Sequence, residues 1–200
     1  VRRSRLEAFS DGVLAIVITI MVLELHRPEG PHFADLAESW NGLLSYAISF
    51  VYVGIYWNNH HHLFQLVRQV DGMVLWANLH LLFWLSLLPF TTAWTDETHF
   101  AQDPTMVYGV NLLMAGVAYY LLQLTLKRLD PHGHLDRALG ADLKGRSSPV
   151  LYVIGILAAL VSTWLSVAVF VGVAAMWLVP DRRVERTIAE VHGDGSPEPL

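Results

Sequence analysis

The stretch Arg5-Leu6-Glu7-Ala8-Phe9-Ser10-Asp11-Gly12-Val13-Leu14-Ala15-Ile16-Val17-Ile18-Thr19-Ile20-Met21-Val22-Leu23-Glu24-Leu25 decides how the rest of the chain is read. From Leu6 to Leu25 it has the length of a membrane crossing, because about 20 residues rising ~1.5 Å each match a hydrocarbon core of about 30 Å. Ser10 and Asp11 are costly in lipid, so each needs a partner or a task. At about 100° per residue, Phe9, Gly12, Ile16, Ile20 and Leu23 share one narrow face, and Asp11 points roughly the opposite way. The polar pair and the Ile/Leu stripe therefore serve different surfaces.

Further apolar blocks run from Leu43 to Leu63, Met73 to Trp94, Met106 to Leu126 and Val150 to Val179. The last is long for one span and short for two, each of which would receive about 15 residues. The composition agrees with a membrane solvent: 54% of the 200 residues are apolar and only 16% are charged, against about a quarter charged in soluble domains. Zero cysteines remove disulfide frameworks, thiolate metal sites and cysteine nucleophiles. A net charge of −5 argues against general nucleic-acid binding. Glu24-Leu25-His26-Arg27 after the first block is unlike a signal-peptide cleavage site.

Charge resolves the last block. With six helices, all of the 13 Lys and Arg residues except Arg27 fall on one side, which is the positive-inside pattern. With five, Arg182, Arg183 and Arg186 would lie outside. The expectation is an all-α membrane protein with six transmembrane helices, both termini cytoplasmic, and a turn near Ser162-Thr163-Trp164. Residues 1–186 form one six-helix domain, and 187–200, with Gly193-Asp194-Gly195-Ser196-Pro197, read as a disordered tail. The outer loops hold Glu29, Asp35, Glu38, Asp96, Glu97 and Asp103. An acidic mouth concentrates cations; equally, acidic residues are tolerated outside because the rule constrains only Lys and Arg.

Arg5-x-x-x-Phe9-Ser10-Asp11 opening the first helix, followed by a branched apolar run, resembles the signature of the transmembrane-protein-175 family of potassium channels. Six spans, cytoplasmic termini and a His-containing third helix (Trp76-Ala77-Asn78-Leu79-His80) match as well. The resemblance implies a single-repeat bacterial type that assembles as a homotetramer in the cell membrane, with first helices lining a central pore. It implies rings of apolar side chains as constriction and filter: Ile16 at the narrowest ring, Ile20 and Leu23 further out. Thr19, about 60° off that stripe, is either a pore-edge hydroxyl or a back-bonder to its own helix. Arg5, Phe9, Ser10, Asp11 and His80 would hold the pore helix to its neighbours. The implied partners are copies of the chain, the lipid bilayer and permeant K+, with no cofactor and no nucleic acid. No Thr-Val-Gly-Tyr-Gly loop is present, so a carbonyl-cage filter is excluded.

Asp11 and His80 sit at matching depths, each about two turns in from the cytoplasmic end of a parallel helix, so a contact between them is geometrically possible, with Asn78 or Ser10 in the network. That pair supports a rival function, a proton-coupled transporter, because His titrates near neutral pH. The rival lacks Gly/Pro-broken helices in paired halves. Asn58-Asn59-His60-His61-His62 suggests a metal site at first glance, but adjacent residues on a helix point about 100° apart. A polar cuff at the end of the second helix is the reading adopted, and no metal is expected. Nothing resembles a nucleophile–base pair or a His-x-x-x-His zinc site, so no enzymatic activity is expected.

Overall fold

Helix α1 runs from Arg3 to Leu23 and presses Leu6, Ser10, Leu14, Val17 and Met21 into the protein, one residue per turn. It belongs to an all-helical computed structural model of the chain, which describes residues 2–67, 69–130, 133, 135, 137 and 143–179. The expected tail 187–200, Arg68, and the Arg182-Arg183-Arg186 cluster used to infer orientation lie outside the described residues. After α1 come α2 (Phe33–Glu38), α3 (Trp40–Gln65), α4 (Gly72–Ser86), α5 (Leu88–Glu97), α6 (Gln102–Lys127), α7 (Leu143–Ala158) and α8 (Thr163–Leu178). The short α2 falls in the stretch read as the first outer loop. Its first turn is closed by the Asp35 carboxylate accepting from the His32 backbone N–H at 2.8 Å.

Three helical segments, 3–23, 72–97 and 102–127, are long and apolar enough to cross a membrane by length and composition. The third expected span is broken. The apolar run from Met73 to Trp94 predicts one continuous helix; instead α4 stops at Ser86 and α5 starts at Leu88, with Pro89 in its first turn. Proline offers no N–H, and its ring crowds the carbonyl four residues back. The carbonyl that Pro89 cannot bond, that of Leu85, is met by the Leu87 backbone N–H instead, and the Thr91 hydroxyl adds contacts at 3.3 Å to both the Leu87 and Leu88 oxygens. Such local repair is what lets a proline stand at membrane depth. The last apolar block does split, into helices of 16 residues each. Its turn lies at 159–162, with Thr163 and Trp164 already inside α8.

Helix α6 is the hub, packing on α4, α5, α7 and α8, while α1 packs on α3, α4 and α5. The core between them is aliphatic, with Leu81, Leu85, Leu88, Leu112, Leu122 and Leu126 essentially inaccessible. Small residues set the approach of α6, α7 and α8. A Cβ on Gly109 would lie 2.5 Å from Phe170 Cζ, and one on Gly155 would lie 2.5 Å from Phe170 Cε1. The Phe170 ring fills the space that these two glycines leave.

Candidate functional site: the free face of the first helix

Helix α1 has two unlike sides. Its inner side carries Ser10 and four large apolar residues. Its outer side carries Phe9, Ile16, Ile20 and Leu23, with Ile16 60% and Leu23 75% exposed. Gly12 lies exposed between Phe9 and Ile16, with nothing within 4 Å of where a Cβ would be. The outer row is the stripe that helical spacing groups together, and the protomer leaves it uncovered. Thr19 is exposed beside it and donates to the Ala15 carbonyl at 2.8 Å, so it is both a hydroxyl at the edge of the stripe and a back-bonder.

The inner side is held by polar bonds at two levels. At the start of the helix, Arg3 pairs with Glu7 at 3.2 Å and donates to the carbonyls of Phe64 and Val67 at 3.2 and 3.3 Å. This clamps α1 to the end of α3. Two turns further in, a buried chain crosses three helices. His60 Nε2 meets Asn78 Oδ1 at 2.8 Å, Asn78 Nδ2 donates to Ser10 Oγ at 2.9 Å, and Ser10 Oγ donates to the Leu6 carbonyl at 2.9 Å. Because Asn78 Oδ1 can only accept, the proton between Asn78 and His60 belongs to His60. None of the three residues is more than 3% exposed.

Asp11 and His80 are not joined. Asp11 accepts from Trp57 Nε1 at 3.1 Å on the exposed side of α3, and His80 Nε2 accepts from Trp84 Nε1 at 3.0 Å within α4. The cause is azimuth rather than depth. Ser10 faces α4, so Asp11 lies about 100° further round; Asn78 faces α1, so His80 lies about 200° round α4. Of the motif residues, Ser10 alone enters the buried chain. Arg5 and Phe9 stay on the exposed surface, and among the described residues Arg5 has no side-chain partner.

Arg3, Trp57, His60 and Asn78 are the anchors that motif reading passed over or under-used. A signal for His60 exists in the sequence. It continues the row Ser49, Tyr52, Val53, Tyr56, which is the buried side of α3, whereas His61 is exposed and bonds Gln65. The His run thus splits between core and surface. Among the described residues no group of three His, Cys, Asp or Glu could hold a metal.

Past Leu23 the α1 stripe runs into a cavity of about 600 Å³ whose walls include His26, Arg27, Asp35, Asp96 and Glu97. His26 Nδ1 stands 3.8 Å from Asp96 Oδ2, and Asn41 bonds His99 at 3.0 Å. A second open space, about 470 Å³, lies between Ile20 and Glu24 of α1 and Pro89, Phe90 and Trp94 beside the break.

A first helix anchored by one side, with the other side apolar and free, suits lipid or a second copy of the chain equally; similarity to known proteins supplies the class, that of ion channels. The model of the family "Endosomal/lysosomal potassium channel TMEM175" matches residues 5–89. A potassium channel of Chryseobacterium sp. (strain P1-3) is 49% identical over 189 residues, 94% of this chain and 98% of that one. A potassium channel of Chamaesiphon minutus is 32% identical over 182 residues, 82% of this chain and 88% of that one. The crystal structure of a lysosomal potassium-selective channel TMEM175 homolog from Chamaesiphon minutus superposes with a TM-score of 0.76 at 30% identity, covering 88% of this chain and 96% of that one. The chain belongs to the TMEM175 family, as a member of bacterial type. That family consists of ion channels, so the protein is not an enzyme.

Proposed function

We propose that the protein is a potassium-selective channel whose pore is lined by the α1 helices of four copies around one axis. Each protomer crosses the cell membrane six times with both termini in the cytoplasm. The observation that carries this reading is the division of α1: one side is fixed by Arg3 and the Ser10–Asn78–His60 chain, and the other presents Ile16, Ile20 and Leu23 uncovered. In four-fold array these side chains become stacked rings, narrowest at Ile16, and the gap at Gly12 widens the space on the cytoplasmic side. K+ is the permeant ion, and the channel needs no cofactor or metal. Asp96, Glu97 and Asp35 around the outer cavity raise the local cation concentration. Asp11 holds α3 through Trp57 rather than touching the ion, and Arg5 and Phe9, exposed on the protomer, are left to meet neighbouring copies.

The rival, proton-coupled transport through Asp11 and His80, loses its basis in geometry, because each residue is bonded to a tryptophan instead. The arrangement of α1 is tested by crosslinking in this cysteine-free chain. Ile16→Cys should yield disulfide-linked dimers between protomers, since four such thiols converge on the axis. Leu14→Cys, 3% exposed on the inner side, should yield none. Crosslinks at Leu14→Cys with none at Ile16→Cys would take the stripe out of the pore.

A further inference from the structure

On the side of the protomer away from α1, helices α3 and α6 stand apart, and α7 and α8 close most of the gap. A cavity of about 40 Å³ remains, walled by Tyr52, Tyr56, Gly116, Gln123, Tyr152 and Trp177. One water takes roughly 10–15 Å³ of such space, so the cavity suits one compact molecule and not a lipid chain. Tyr120 stands at its rim, 47% exposed on the flank of the bundle, which gives access from the lipid.

The walls say what chemistry fits. Among the described residues no Asp, Glu, Lys or Arg lines the space, so a charged ligand would be stripped of water without compensation from them. Most of the polar groups are already engaged. Tyr52 donates its hydroxyl to the Phe170 carbonyl at 2.7 Å, Trp177 Nε1 donates to Ser148 Oγ at 2.8 Å, and the Tyr119 hydroxyl is 3.3 Å from the Asn59 carbonyl. The Tyr56 and Tyr152 hydroxyls and the Gln123 amide are the exceptions, and of these Gln123 has the most to satisfy. It is 97% buried, being 3% exposed, it lines the cavity, and no described residue hydrogen-bonds its side chain. A buried primary amide offers both donors and an acceptor and is costly to leave unmatched. Its natural complement is a hydroxyl, which can donate to the amide oxygen or accept from its nitrogen, carried on an apolar body that suits the aromatic walls.

We propose that this cavity is a binding site for a small neutral alcohol that enters from the bilayer, with its hydroxyl on the Gln123 amide and its apolar part between Tyr56, Tyr152 and Trp177. The site lies outside the α1 stripe, and its occupancy does not depend on how ions cross.

The test uses the full chain in lipid nanodiscs and 2,2,2-trichloroethanol, a compact alcohol that quenches indole fluorescence. A saturable quenching component is expected in the wild type and should vanish in Trp177→Phe. Gln123→Leu keeps the size of the side chain, removes the amide, and should weaken binding about three- to tenfold, the worth of one neutral hydrogen bond. In the wild type, 1,1,1-trichloroethane, which lacks the hydroxyl, should bind as weakly as the alcohol binds Gln123→Leu. Gly116→Val should abolish the component by filling the space, since a Cβ there meets Tyr152 and Tyr56 only at ordinary contact, 3.5 and 3.7 Å. Quenching that never saturates, or that survives unchanged in Gln123→Leu and Gly116→Val, would overturn the proposal: the alcohol would be dissolved in the lipid and the cavity would hold water alone.

Discussion

Replacing Ile16 by Asn should raise the baseline current and bring the potassium-to-sodium permeability ratio toward one. A ring of isoleucine side chains offers a cation no lone pairs, so the ion either crosses with its water or waits for the ring to widen. Such a ring closes by dewetting and needs no charged gate. Potassium sheds part of its hydration more cheaply than sodium, so a narrow apolar ring opposes sodium more. Asn supplies amide oxygens at the ring, keeps it wet and lowers the dehydration cost for both ions. Each ~1.4 kcal/mol removed from the barrier raises the rate about tenfold, so a change of that order is expected in the current. Ile16→Val trims one methylene, keeps the ring apolar, and should change the current far less. Reversal potentials under bi-ionic conditions decide the matter. Unchanged selectivity in assembled Ile16→Asn would place the filter elsewhere.

Asn78→Leu should be the most damaging of the polar substitutions around α1, and its damage should fall on stability rather than on selectivity. Asn78 joins α3, α4 and α1 through two bonds, to His60 and to Ser10. Leucine removes both and leaves the His60 N–H without a partner at 3% exposure. Single hydrogen bonds between membrane helices average about 0.6 kcal/mol, with a maximum near 1.7, and an orphaned buried donor costs about 1–3 kcal/mol. A loss of about 1–3 kcal/mol is therefore expected. Asp11→Ala breaks one exposed bond, to Trp57, and should cost the protomer under about 1 kcal/mol. Denaturant or thermal unfolding in mixed micelles compares the two. If Asp11→Ala proved equal to or worse than Asn78→Leu, the buried chain would not be what holds α1.

What was legible in the sequence follows from how one-dimensional each signal is. Apolar runs mark helices wherever nothing interrupts them, so α1, α3 and α6 begin and end within four residues of the blocks that predict them. The phase along α1 was legible too, because Leu6, Ser10, Leu14, Val17 and Met21 on one side and Ile16, Ile20 and Leu23 on the other repeat at helical spacing. The third span shows the limit. Leu85-Ser86-Leu87-Leu88-Pro89 is apolar enough to read as continuous, but the proline ring and missing N–H divide it. That an Asp11–His80 contact is possible rests on depth alone, which counting residues along two helices supplies. Rotation about each helix depends on packing against neighbours, and it turned Ser10 and Asn78 together and the other two apart. His60 was hidden by its company: within a run of five polar residues, its place on the buried row of α3 shows only when the row is traced back to Ser49.

Copies of α1 are proposed to enclose a passive path for potassium. The most direct test is the current of the purified wild-type protein in a planar bilayer, under a potassium gradient, with the pH of one chamber then changed. Current at channel rates is expected, reversing at the potassium equilibrium potential, with no shift when a proton gradient is imposed. A current absent without a proton gradient, or a reversal potential that follows that gradient, would contradict the proposal.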